Sequence, residues 1–322
     1  MTSYWNALVN QSIWIPRPSI TEKNVQDLTG KVLLVTGGNT GVGFQLCKIL
    51  YSANGTVYLA ARSVEKGTAA IEKIKAAHPT SKGRIELLKL DLGDLTTIKA
   101  SAQDFLARES RLDVLWNNAG VMMPPNGSVT EQGHELQMGT NCLAPYLFTE
   151  FLKPILKATA ANAPANSVRV AWAGSAGIDF LSPSGGIQFD EGGRPKVLKS
   201  NSANYGQSKA GNLFLAEGFA KEMASSGIVS VVFNPGNLHT ELNRHIGASE
   251  WLQRILLYPA IYGAYTELYC GVSPELTVED NGIYIAPWGR KSYNRSDIET
   301  ARKDGTVEKF MRYCNAETEK YM

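Results

Sequence analysis

The chain predicts an α/β fold: a doubly wound, mostly parallel sheet with helices on both faces, forming a single domain over residues 31–322 behind an N-terminal extension over 1–30. Three observations carry this. Apolar runs of strand length alternate with stretches of helix length from Lys31 onward. The first run, Val32-Leu33-Leu34-Val35, passes directly into the glycine-rich turn Thr36-Gly37-Gly38-Asn39-Thr40-Gly41-Val42-Gly43. The composition, 43% hydrophobic and 19% charged over 322 residues, supports a sizeable core and argues against disorder.

The extension holds Pro16 and Pro18, which disfavour regular structure ahead of the first strand. The apolar run then predicts a strand over Val32–Thr36, and the glycine turn opens a helix over 41–53. A second strand over 56–60 (TVYLA) and a helix over Val64–Ala77 follow. Alternation predicts a third strand over 85–90, with a helix over 95–108. A fourth strand, 112–116, ends in Asn117-Asn118-Ala119-Gly120. A long helix is expected over 131–158, bent or divided by Pro145 and Pro154. A fifth strand spans 168–173, and the Gly/Pro/Ser-rich stretch 178–203 reads as an inserted loop. A helix over 204–224 and a sixth strand over 228–233 complete the alternation. Residues 237–280 are mixed and aromatic, and a short last strand is expected near 282–286.

Several function classes are disfavoured. Formal net charge is only +2 with no basic run, so no nucleic-acid partner is implied. The chain lacks Cys-x-x-Cys and His-Glu-x-x-His, so no metal site is expected. Four scattered cysteines read as free thiols in a reducing, cytoplasmic setting. The N-terminus has neither a charged n-region nor a continuous apolar h-region, and no run of 18 apolar residues predicts a transmembrane helix. Peripheral membrane contact stays open.

Two motifs carry chemistry. In the glycine turn, glycine permits the tight turn, close backbone approach to a pyrophosphate and helix–sheet packing, with the anion against the positive end of the helix. Tyr205 and Lys209, four positions apart, lie on one helix face. A free phenol titrates near pH 10, about three units above neutrality, and a nearby cation would lower that value. Beside a nucleotide site, the pair suggests proton transfer to or from a carbonyl or alcohol oxygen.

The glycine turn, Asn117-Asn118-Ala119-Gly120, Ser175, Tyr205 with Lys209, and Pro235-Gly236-x-x-x-Thr240 occur in the order seen in short-chain dehydrogenases/reductases, and over about residues 30–290 the chain resembles that superfamily. The stretches LAARS, LWNNAGVM, YGQSKAGN and NPGNLHT are similar to its retinol dehydrogenase-like and WW-domain oxidoreductase-like branch. The resemblance implies a Rossmann-type fold and a catalytic set of Asn141, Ser175, Tyr205 and Lys209. Tyr205 would be the general acid/base, Lys209 would tune it and hold the nicotinamide ribose, and Ser175 would hydrogen-bond the substrate oxygen. Asn141 would complete the set through a helix distortion and a water. Ser182 is the alternative to Ser175; Ser175 is favoured because it closely follows the fifth strand, although thirty positions separate it from Tyr205.

Cofactor contacts are expected from Gly37, Asn39, Thr40, Gly41, Val42, Gly43, Asp91, Leu92, Asn118, Ala119, Gly120, Pro235, Gly236, Leu238 and Thr240, together with Tyr205 and Lys209. At the end of the second strand, Ala61-Arg62 stands where NAD enzymes usually carry an acid for the ribose 2′-OH. Arg62, with Lys66 one turn on, suits a 2′-phosphate, so the expected cofactor is NADP(H). His239 reads as a solvent-facing loop residue. The aromatic segment 238–273 falls where the family places a substrate lid; Trp251, Leu256 and Tyr262 are its candidate substrate contacts, with core or dimer packing as the plainer alternative. The expected activity is NADP(H)-dependent interconversion of a lipophilic alcohol with its aldehyde or ketone, by a monomer or homodimer. Retinoid-like, steroid-like and specialised-metabolite substrates all fit. A non-redox cyclisation or dehydration and a nucleotide-sensing regulatory role are the alternatives.

Overall fold

The computed structural model describes residues 11–12, 15–239 and 257–322. Eight strands form the main sheet: β1 (Val32–Thr36), β2 (Thr56–Ala61), β3 (Arg84–Lys89), β4 (Val114–Asn117), β5 (Arg169–Ala173), β6 (Val229–Phe233), β9 (Tyr284–Ala286) and β10 (Arg290–Ser292). A separate two-stranded pair joins β7 (Leu238–His239) to β8 (Tyr258–Pro259). The main order is β10-β9-β6-β5-β4-β1-β2-β3, and every pairing is parallel except β9 with β10. Chain order reverses between β1 and β4, which opens a crevice at the carboxyl ends of those strands.

Continuous apolar runs work as strands here because both faces are covered. Leu33 and Val35 join one hydrophobic cluster, with Val32 and Leu34 in the other. On the first side pack α1 (Gly41–Ser52), α2 (Val64–Ala77) and α6 (Ala260–Val272). On the second pack α3 (Ile98–Arg108), α4 (Ala144–Ala160), α5 (Asn201–Met223) and α7 (Thr306–Thr318).

The structure corrects several expected elements. The helix expected over 131–158 is a short turn over Leu136–Met138, a π-helical turn over Gly139–Leu143, and then α4. Pro145 lies in the first turn of α4 and does not divide it; Pro154 sits inside. The distortion comes just before Pro145, which has no N–H to give to the carbonyl of Asn141 four residues back. The stretch 178–203 is not wholly loop: Gly177–Phe180 is a helical turn, and α5 begins at Asn201, where the Ser200 side chain accepts from the Ala203 N–H. β10 and α7 were not expected from the sequence.

Of the segment 238–273, residues 240–256 lie outside the described residues, and with them Thr240, Trp251 and Leu256; so does the side chain of His239. The rest is largely α6, whose residues 263–271 are buried against α1.

Candidate active site

The crevice between β1 and β4 is a cleft of about 320 Å³. Its lining brings together Gly37, Asn39, Thr40, Gly41, Val42, Gly43, Arg62, Asp91, Leu92, Asn118, Ala119 and Gly120, most of the nucleotide-binding set expected from sequence. Pro235 and Gly236 belong to the turn after β6 and Leu238 to β7, and none is part of this lining; Lys66 is exposed on α2 and outside it as well.

The glycine turn is shaped by contact with the strand beside it. Asn118 donates its Nδ2 to the Thr36 carbonyl at 2.7 Å, and the Ala119 N–H donates to Thr36 Oγ1 at 2.9 Å. Gly37 has φ +67, and a Cβ on Gly43 would stand 2.5 Å from Asn118 Nδ2 and 2.6 Å from the Gly37 carbonyl oxygen. Both positions therefore require glycine.

The cleft fits a dinucleotide on two observations. Thr40 stands at the N-cap of α1 without a side-chain capping bond, and no acid occupies the first turn, so the helix presents donor N–H groups to an anion. Thr140 Oγ1, also in the lining, is buried with no hydrogen-bond partner among the described residues. Residues Gly37 to Gly43 would hold the pyrophosphate, Asp91 and Leu92 the adenine end, and Arg62 a ribose 2′-phosphate.

Beside the cleft, α5 carries Tyr205 and Lys209, both buried. Ser175 lies just beyond β5, and its Oγ accepts from the Gly177 N–H at 3.0 Å. A Cβ on Gly177 would meet Tyr205 Cε1 at 3.2 Å and Ser175 Oγ at 3.4 Å, so the phenol ring and the hydroxyl converge there. Ser182 is committed elsewhere, donating to the Ile178 carbonyl at 2.6 Å. Gly206 closes the thirty-position gap: a Cβ there would stand 2.3 Å from the Ser182 N, so only glycine lets the inserted stretch press onto α5 beside Tyr205.

Asn141 lies in the π-helical turn, the distortion expected there. Its side chain accepts from the Val121 N–H at 2.8 Å, and donates to the Val121 carbonyl at 3.0 Å and to Ser208 Oγ at 2.9 Å. Lys209 Nζ donates to the Ala173 carbonyl at 2.8 Å, an oxygen it shares with Asn212.

Burial is the larger influence on Tyr205: it holds the phenol above its ordinary range, opposed by a hydrogen bond with Ser175. Lys209 Nζ lies 5.7 Å from the centre of the Tyr205 ring and bonds to a backbone carbonyl. Burial in turn pulls Lys209 down to about 8. Thr140 and Asn212 were missed from sequence. Asn212 had a visible signal, since it follows Lys209 by three positions on the same helix face; Thr140 had only its place beside Asn141.

Among the described residues no cluster of His, Cys, Asp or Glu could hold a metal, and no helix is long and apolar enough to cross a membrane.

The family model described as short chain dehydrogenase matches residues 31–164. The short-chain dehydrogenase/reductase iacJ of Pestalotiopsis fici is 43% identical, covering 97% of this chain and 98% of its own. The short-chain dehydrogenase/reductase pkfC of Emericella nidulans is 45% identical over 89% of this chain and 94% of its own. Among solved structures, the NADPH-bound carbonyl reductase from chicken fatty liver is 22% identical with a TM-score of 0.62, covering 83% of this chain and all of its own; it has the same fold.

Proposed function

The chain belongs to the short-chain dehydrogenase/reductase family, and we propose that it interconverts a lipophilic alcohol and its aldehyde or ketone with NADP(H). The observation that carries this reading is the convergence of Tyr205 and Ser175 at Gly177, with Tyr205 on the helix whose Lys209 reaches the dinucleotide cleft, where a Cβ on Gly120 would meet its Nζ at 3.4 Å. The nicotinamide, when bound, supplies or accepts the hydride at the substrate carbon. Everything else falls to side chains of this chain. Ser175 holds the substrate oxygen by a hydrogen bond. Tyr205, a phenol that is protonated at neutral pH, gives that oxygen a proton during reduction and takes one back during oxidation. Lys209, on the same face, holds the ribose of the nicotinamide half and fixes the phenol's surroundings. The π-helical turn carrying Asn141 braces this wall through Val121 and Ser208.

NADP(H) is favoured by Ala61 and Arg62: the strand end offers no carboxylate for a 2′-OH and an exposed guanidinium for a 2′-phosphate. A lipophilic substrate is favoured by the rings around Gly236. Tyr258 and Tyr262 pack on Trp288, each with ring centres 5.1 Å apart, and a Cβ on Gly236 would strike Trp288 at 2.5 Å. Trp251 and Leu256 are proposed as further substrate contacts. The four cysteines are free and buried, in keeping with a cytoplasmic setting.

The test is a panel of lipophilic aldehydes and ketones with NADPH, followed by loss of reduced-cofactor absorbance and by product identification. Carbonyl reduction that needs Tyr205 is the expected result. Product formation without a matching change in cofactor would overturn the redox reading.

A further inference from the structure

Gln11, from the extension ahead of the fold, reaches the reaction chamber. It is 2% exposed. Its Oε1 accepts from the Tyr284 hydroxyl at 2.8 Å and from Asn234 Nδ2 at 3.0 Å. Its Nε2 donates to Asp179 Oδ2 at 3.4 Å. All three partners are buried, at 0%, 2% and 5% exposure, so these bonds are made away from solvent.

Two of the partners lead toward the chemistry. Asn234 Oδ1 accepts from the Gly236 N–H at 2.9 Å and so sets the Pro235-Gly236 turn, which the family resemblance makes a cofactor contact. Asp179 belongs to the helical turn that starts directly after Ser175, whose Oγ accepts from the Gly177 N–H. The far side of Asp179 is anchored by the Arg295 N–H at 2.9 Å and by Asn294 Nδ2. Two turns from distant parts of the chain, one an expected cofactor contact and one carrying the proposed substrate-oxygen donor, are thus joined through one carboxamide. An amide suits this place: its oxygen takes two donors while its nitrogen serves a carboxylate.

We propose that Gln11 is a positioning residue of the active site, whose side chain fixes the spacing between the 234–236 turn and the 175–179 turn, so that the N-terminal extension is a working part of the catalytic chamber. The kinetic consequence rests on the oxidoreductase reading; the bracing of the two turns does not.

The experiment compares wild type with Gln11→Met, which keeps volume and loses every hydrogen bond, and Gln11→Glu, which keeps an oxygen for Tyr284 and Asn234. Hydrogen exchange is followed at the Gly177 and Gly236 amides of the NADPH complex, and turnover on whichever carbonyl the panel above identifies. Gln11→Met should exchange faster at both amides. Its kcat should fall about ten- to a hundred-fold, as misplacement of reacting groups does, with KM for NADPH within about two-fold. Gln11→Glu should recover protection at Gly236 and most of kcat. Unchanged exchange at both amides in Gln11→Met overturns the proposal, whether or not a substrate has been found. So does an equal loss of melting temperature and kcat in both variants, which would reduce Gln11 to a stability contact. Faster exchange in Gln11→Met with no turnover in wild type would uphold the brace and count against the oxidoreductase reading instead.

Discussion

Lys209 Nζ donates to the carbonyl of Ala173 at 2.8 Å, so the ammonium of α5 is fastened to the end of β5 inside the protein. It is 5% exposed. A single backbone acceptor does not replace the water this cation loses, which is why burial draws it down to about 8.

That placement makes stability depend on pH. The native protein gives up the Lys209 proton near pH 8 and the unfolded chain near 10.5, so between those values the unfolded state binds more protons and stability rises with pH. Cofactor-free Lys209→Met should therefore be more stable than wild type at pH 7, by about 1–3 kcal/mol. The difference should shrink as pH rises through 8 toward 10.5. Denaturant melts at a series of pH values measure it, and a pH-independent difference would refute the assignment. The same variant should lose cofactor affinity and turnover together.

Tyr205→Phe should reduce turnover by about two to four orders of magnitude, the usual worth of general acid–base catalysis. NADPH affinity should barely change, because the dinucleotide cleft is lined by other residues. Cofactor titration by fluorescence beside steady-state kinetics separates the two. Near-normal turnover of the Phe variant would mean that another group moves the proton.

NADPH should bind more tightly than NADH, and Arg62→Ala should remove most of that preference. The lost charge-assisted pair is worth about 1.5–3 kcal/mol. Direct titration of both cofactors against both proteins is the measurement; equal affinities in wild type would count against Arg62 as the 2′-phosphate ligand.

Glu267 offers a test of the α1–α6 interface. It is fully buried on α6, both carboxylate oxygens lack partners among the described residues, and burial raises it well above the carboxyl range. A raised acid keeps its proton in the native state after the unfolded chain has released it, so this residue's contribution falls as pH rises above that range. Glu267→Met should stabilise the protein, by about 1–3 kcal/mol at neutral pH, and by less at acid pH. Chemical denaturation at pH 5 and pH 8 should show the gap widening.

The sequence by itself determined the parts that rest on local rules. Strand-length apolar runs placed most of the sheet, because strands covered on both faces must be apolar throughout, as Val32 to Val35 are. The glycine turn was legible because its constraint is steric and short-range, and Tyr205 with Lys209 because helical spacing puts them on one face. Tertiary structure decided what depends on segments far apart in the chain. The approach of Ser175 to Tyr205 needed Gly206 to admit the inserted stretch, and the anchoring of Gln11 needed Asp179, Asn234 and Tyr284 to converge. The titration of the pair was decided there too: spacing puts a cation near a phenol, but only packing sets how much water each group loses, and burial is the largest influence on both.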